Sequence, residues 1–346
     1  MKKVFTSASL VFFGAFVVLS AAIFVPTVQA ATYNFTYSTF FPPTHIQTKV
    51  PEAWAKEIEE LSKGQIKIQI FTGGSLTPAP QIYDGVVKGI SDFGLSVLAY
   101  SPGRFPVLSA VDNPFGYPNA FVATRVINEL NRKFQPKELS DVHVCYLFAH
   151  GPGLLHTVNK PVSKLEQVKG LKIRSTGTSQ LIVRAFGATP VAMSQGETYD
   201  ALKKNIADGT LVPIEALEGF KQGEVLKYTT LNYSSSYSQG FFVAMNLKKW
   251  ESLPPDLQKI ITEVSKKYED ITAKAWGDSD ESGRQFCLKL GHEFIQLSEE
   301  ESAKFKNAVK PVFDEYIKQA NEKGVDGEAV FKATVEMVEK YSKEYK

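Results

Sequence analysis

A ten-residue pattern occurs twice in this chain, and it constrains the fold more than any other feature. Tyr83-Asp84-Gly85-Val86-Val87-Lys88-Gly89-Ile90-Ser91-Asp92 returns as Tyr199-Asp200-Ala201-Leu202-Lys203-Lys204-Asn205-Ile206-Ala207-Asp208, with Tyr, Asp, Lys, Ile and Asp in register. A Gly-led strand of alternating basic and apolar residues precedes each copy: Gly64 before Lys67-Ile68-Gln69, and Gly170 before Lys172-Ile173-Arg174. In this alignment Gln69 corresponds to Arg174. The echo predicts two related lobes, each a strand–helix–strand module, facing one another across a cleft. Ligands of open α/β sheets bind beyond the carboxyl ends of the strands, so facing lobes would pool two such rims.

The rest of the chain keeps the same alternation. Tyr33–Ser38, Gln65–Phe71 and Ser91–Val97 read as strands, Val50–Leu61 and Gln81–Gly89 as helices, which is the signature of an α/β architecture with largely parallel sheets. Tyr228–Leu231 and Phe241–Met245 read as later strands joined by the polar run Asn232–Gln239. From Asp256 a helical stripe of Leu257, Ile260, Ile261, Val264, Tyr268, Ile271 and Ala275 runs unbroken to Gly277. Such a helix is long enough to lie behind both lobes. Glu299–Lys318 and Gly327–Tyr345 are amphipathic with mixed charge and read as solvated packing helices.

Charge excludes one class of partner. The formal balance is +2, but both excess cations, Lys2 and Lys3, lie in the first 30 residues, and the remainder holds 37 basic against 37 acidic residues. Nucleic acid binding needs a basic field, and none exists. Lys2 and Lys3 precede an apolar run from Leu10 to Val25 and the small-residue site Val28-Gln29-Ala30, the pattern of an export signal cleaved after Ala30. An uncleaved membrane anchor is the competing reading of that run. Cys145 lies in the apolar run Val142–Phe148 and reads as a buried small hydrophobe. Cys145 and Cys287 could pair after export or stay free. No Cys/His spacing resembles a zinc site, and no cofactor is expected.

Arg174 ends a strand and is followed by Ser175-Thr176-Gly177-Thr178-Ser179 and the helical run Gln180–Phe186, which closes at Gly187. A guanidinium fork beside hydroxyls and a helix start favours an anion, and the combination suits a carboxylate. Phe40-Phe41-Pro42-Pro43-Thr44-His45 occupies the first strand-to-helix turn, Phe115 and Tyr117 a Pro-bounded loop, and Tyr237 and Phe241 flank the later crossing.

The order and spacing of these segments resemble one family over essentially the whole mature region. Lys49–Gly64 with its strand, Gly73-Gly74-Ser75-Leu76, Val86–Asp92, Lys160-Pro161 through Arg174, Tyr199-Asp200-Ala201-Leu202 through Asp208-Gly209, Glu224-Val225 with Lys227-Tyr228, and Trp250 with Leu253-Pro254 carry the likeness. Together they resemble the extracytoplasmic solute receptors of tripartite ATP-independent periplasmic (TRAP) transporters. The resemblance implies a two-lobed, periplasmic-binding-protein-like α/β fold with a ligand cleft, crossing hinge strands and a long spanning helix. It implies lobe one as residues 31–152 with 242–281, lobe two as 153–241 with 282–346, and a periplasmic location after removal of residues 1–30. It further implies closure on a small organic acid, delivery to TRAP membrane permease subunits, no enzyme activity, and a carboxylate-pairing arginine at Arg174.

The chain departs from the family at Val212, where many members carry asparagine, and at Gly153-Leu154-Leu155, where many carry arginine. Both departures remove polar groups, which favours one carboxylate on an apolar, aromatic or branched body. The expected ligand-lining set is Arg174, Phe41, His45, Ser96, Phe115, Val212, Glu215, Tyr237 and Phe241. A secreted hydrolase in the same cleft and a ligand-sensing receptor are the alternatives. No Gly-x-Ser-x-Gly or His-Glu-x-x-His motif supports the hydrolase.

Overall fold

The computed structural model describes residues 32–345 together with Met1 and Lys3. The expected apolar export run and its cut after Ala30 lie outside the described residues. The first sheet is built from β1 (Tyr33–Thr39), β2 (Ile66–Phe71), β3 (Phe93–Val97), β4 (Val142–Ala149) and β10 (Gly240–Asn246), in the order β2-β1-β3-β10-β4. The second holds β5 (Gly153–Thr157), β6 (Lys172–Ser175), β7 (Thr189–Ala192), β8 (Gly209–Pro213), β9 (Tyr228–Thr230) and β11 (Glu293–Ile295), in the order β11-β9-β5-β8-β6-β7. β3, β8 and β10 are buried along their whole length, as central strands covered on both faces must be.

The two sheets share one plan. Helices α1 (Ile46–Leu61) and α2 (Ile82–Val87) connect β1, β2 and β3, while α4 (Ser179–Ala185) and α5 (Thr198–Lys203) connect β6, β7 and β8. The repeated decapeptide is α2 or α5 with the turn into the next strand, and its final aspartate does the same work in both copies. Asp92 N donates to Thr36 O at 3.1 Å, and Thr36 N donates back to Asp92 Oδ2 at 2.8 Å. Asp208 N donates to Lys172 O at 2.7 Å, and Lys172 N donates back to Asp208 Oδ2 at 2.8 Å. This reciprocal clamp fixes the register of the parallel pair that follows, Tyr37 beside Phe93 and Ile173 beside Gly209.

The clamp also corrects the expected alignment. β6 is the counterpart of β1, so Arg174 occupies the place of Ser38 and not that of Gln69. The Gly-led strands look alike locally, but β2 is an edge strand and β6 is interior.

Two segments cross between the sheets, residues 150–152 from β4 to β5 and residues 231–239 from β9 to β10. They run side by side: His150 N donates to Gln239 O at 3.3 Å, and Gly153 N to Tyr237 O at 2.8 Å. Gly153 permits this approach, because a Cβ there would lie 2.0 Å from the Tyr237 ring.

Behind both sheets runs α8 (Pro255–Lys289), 35 residues long, or about 50 Å at the helical rise. It packs on α1 and β4 of the first lobe, on α3 (Ala120–Phe134), and on α6 (Glu215–Gly219) of the second. Trp54 Nε1 on α1 donates to Ser265 Oγ on α8 at 3.2 Å. The spanning helix is therefore continuous across residue 281, where the lobe boundary was expected.

The chain end also differs from expectation. α9 (Glu299–Ala308) packs on the second lobe through Phe305 against Phe186. α10 (Lys310–Glu322) and α11 (Gly327–Glu344) return to the first lobe, where Tyr316, Ala320, Val330, Val338 and Tyr341 share a core with Val122, Val126 and Leu130 of α3. The amphipathic stripe announced a buried face without naming the surface that buries it. Both cysteines are free thiols. Cys145 is half-buried in β4, and Cys287 is buried near the end of α8 in a separate core.

Candidate ligand-binding site

The carboxyl ends of the parallel strands converge on one cavity between the lobes. β1 leads into Phe40 and Phe41, β3 ends at Val97 with Tyr100 in the next turn, β6 supplies Arg174 and Thr176, and β8 supplies Val212 and Pro213. Glu215, Ala216 and Phe220 come from the α6 region, His150, Tyr237, Gln239 and Phe241 from the crossings, and Trp276 from α8. The lobes touch around this cavity. Gln195 N of the second lobe donates to Tyr100 Oη of the first at 2.8 Å.

Arg174 is the one cationic side chain in the lining and is only 3% exposed. Its Nε and Nη2 both donate to Met193 O, at 3.2 and 2.9 Å, which anchors the back of the fork. Among the described residues no carboxylate forms an ion pair with it. Glu197, whose carboxyl is held below its ordinary range by Ser194 first and by Arg174 further away, accepts instead from Ser194 N at 2.9 Å. Burial raises the Tyr100 hydroxyl above its ordinary range, with the Arg174 charge pulling against it. A buried guanidinium without a counter-charge costs several kcal/mol unless an anion completes it, at about the usual desolvation cost of an ion.

The walls are aromatic. Phe41 lies 6.1 Å from Phe241 and 6.2 Å from Trp276, and Phe241 lies 5.7 Å from Trp276. Tyr237 is fixed by its hydroxyl, which donates to Leu211 O at 2.7 Å.

Behind one wall a chain of polar groups ties the lobes to α8. His45 caps α1, its Nδ1 accepting from Gln47 N at 3.0 Å. The proton therefore sits on Nε2, which faces Glu215 Oε1 across the lobes. Glu215 N in turn donates to Asp280 Oδ1 on α8 at 2.9 Å. Gly219 leaves room for the pair: a Cβ there would lie 2.5 Å from both His45 Nε2 and Glu215 Oε1.

Of the expected residues, Arg174, Phe41, Val212, Glu215, Tyr237 and Phe241 meet in this cavity, and His45 stands directly behind Glu215. Two do not. Ser96 points to the other face of β3 from Val97, as alternation requires, and donates to Ala79 O at 3.1 Å. Phe115 packs at 5.2 Å on Phe313 and 5.7 Å on Phe331, in the seam that α10 and α11 form with the first lobe. Tyr100, His150, Gln195, Gln239 and Trp276 escaped the sequence reading. His150 alone had a local signal, since it ends a strand and precedes Gly151-Pro152.

Two buried carboxyls near the crossings make stability depend on pH. Burial raises Asp112 and Asp280 each to about 8, against hydrogen bonds from Gly240 N and Glu215 N respectively. Between the ordinary carboxylate range and 8 the folded state holds protons that the unfolded state has lost, so stability falls as pH rises through that window. His150 and His156, lowered by burial to about 4 and about 3, work in the opposite direction below the ordinary histidine value. Above the ordinary histidine value the carboxyls set the slope, and the Cys145 and Cys287 thiols, raised by burial, add to it in the same direction toward pH 8.5. The melting temperature is expected to fall on the order of 5 °C between pH 6.5 and 8.5, and Asp112→Asn to flatten that slope. A flat wild-type profile in thermal melts would contradict this.

A family model described as bacterial extracellular solute-binding protein, family 7 (DctP), matches residues 37–319. The chain belongs to this family. It is a TRAP-type solute-binding protein, and solved relatives share its fold. A TRAP solute-binding protein from a marine metagenome, specific for aromatic acid ligands and solved with 3-hydroxybenzoate, is 29% identical, with a TM-score of 0.86 over 90% of this chain and 99% of that one. One from Rhodoferax ferrireducens T118, solved with copurified benzoate, is 27% identical, with a TM-score of 0.86 over 91% of this chain and 100% of that one. The 2,3-diketo-L-gulonate-binding periplasmic protein YiaO of Escherichia coli (strain K12) is 26% identical over 256 residues, 72% of this chain and 76% of that protein. Among the described residues no helix is long and apolar enough to cross a membrane.

Proposed function

We propose that this solute-binding protein is a periplasmic receptor for a small aromatic monocarboxylate, which it hands to a TRAP membrane permease. The observation that carries this reading is the buried, uncompensated Arg174 guanidinium opening onto a cavity walled by Phe41, Phe241 and Trp276. One fork completes one carboxylate. Val212 lines the cavity as an apolar residue, and the lining holds no second cation for a dicarboxylate or a sugar acid. The aromatic-acid ligands of the marine and Rhodoferax relatives support the same class.

Binding works by lobe closure. Arg174 of the second lobe and the Phe40–Phe41 turn of the first both line the cavity, so a ligand that touches both favours the closed form by its differential affinity. The reading assigns the cavity no catalytic residue. Isothermal titration tests it with benzoate, succinate and glucuronate. Benzoate is expected to bind and the other two to bind at least ~100-fold more weakly. Equal or tighter binding of succinate or glucuronate would overturn the assignment.

A further inference from the structure

Among the described residues, four polar side-chain atoms of the cavity lining have no hydrogen-bond partner: Glu215 Oε1, which faces His45, Gln195 Nε2, and the two that lie on neighbouring rings, His150 Nε2 and Trp276 Nε1. His150 and Trp276 are buried, 3% and 2% exposed. Both residues line the Arg174 cavity, and their ring centroids lie 6.0 Å apart. Their roles are fixed by chemistry. His150 Nδ1 lies 2.5 Å from Gly151 O, a group that can only accept, so the ring proton sits on Nδ1. Burial keeps the ring neutral, with its pKa lowered to about 4. Nε2 is therefore a bare acceptor, whereas the Trp276 indole N–H can only donate.

An acceptor and a donor on adjoining walls call for one group that does both. A hydroxyl donates to His150 and accepts from Trp276. An ether can only accept, an ammonium can only donate, and a hydrogen atom or halogen leaves His150 unpaired. A site built to pair a ligand hydroxyl discriminates strongly against the analogue lacking it, because its own buried polar groups are then stranded. We propose that the ligand is a hydroxylated aromatic monocarboxylate, its hydroxyl read by His150 Nε2 and Trp276 Nε1 while Arg174 holds the carboxylate. This rests on the aromatic monocarboxylate reading above and narrows it.

The test is a titration series on the wild-type protein with benzoate, its three monohydroxy isomers and their methyl ethers. At least one hydroxybenzoate is expected to bind about 10-fold or more tighter than benzoate, and its methyl ether to lose that gain. In His150→Phe the ratio of hydroxybenzoate to benzoate affinity falls to about one, whatever the absolute affinities, and Trp276→Phe lowers the same ratio. Benzoate binding as tightly as every isomer overturns the proposal while leaving the monocarboxylate reading intact. A hydroxyl preference undiminished in His150→Phe also overturns it. If no benzoate derivative binds, the broader reading falls and this one with it. The wild-type series decides even where a variant fails to fold.

Discussion

Arg174→Lys is expected to weaken benzoate binding by about 100-fold or more, on the order of 3 kcal/mol. Lysine keeps the charge but not the planar fork. In the wild type two of the fork's nitrogens are held by Met193 O, so the group is oriented before a ligand arrives. A flexible ammonium would have to give up its own hydration and rotamer freedom to make a single contact. Arg174→Ala should lose binding altogether and yet fold at least as well, since it removes a buried charge with no counter-ion. Isothermal titration measures the first effect and thermal unfolding the second. Unchanged affinity in Arg174→Lys would remove this residue from the ligand contacts.

The second large effect is conformational. Gly153→Ala places a methyl group 2.0–2.7 Å from three atoms of the Tyr237 ring, and that ring is pinned by its bond to Leu211 O. Neither side can yield without breaking the pairing of the two crossings. A loss of about 2–3 kcal/mol is expected in denaturant unfolding, together with weaker ligand binding, because Tyr237 also lines the cavity. Gly277→Ala provides the opposite sign. That glycine lies within α8, and nothing stands within 4 Å of the place its methyl group would take, so alanine should stabilise the helix by about 0.5–1 kcal/mol. If both substitutions destabilise alike, close approach at the crossing is not what Gly153 serves.

Much of this was legible in the chain because it is local. The duplicated decapeptide marks two lobes since its terminal aspartate performs one backbone task in each. The stripe from Leu257 to Ala275 marks the spanning helix because periodicity is a property of the helix itself. Arg174 could be read from its neighbours at a strand end. What could not be read depends on the surface each residue meets. Phe115 and Trp276 are both large aromatics in plausible places, yet one fills the seam under α10 and α11 and the other lines the inter-lobe cavity. The partner of α11 was equally hidden, because an apolar face fits either lobe until the packing is known. His150 and Trp276 matter through the bonds they do not make, and composition carries no trace of a missing partner.

The most direct test of the whole reading is a crystal structure of the protein grown with benzoate. The carboxylate should lie within hydrogen-bond distance of the Arg174 guanidinium, with the ring enclosed by Phe41, Phe241 and Trp276. A benzoate whose carboxylate turns away from Arg174, or one bound elsewhere while the inter-lobe cavity stays empty, would contradict it.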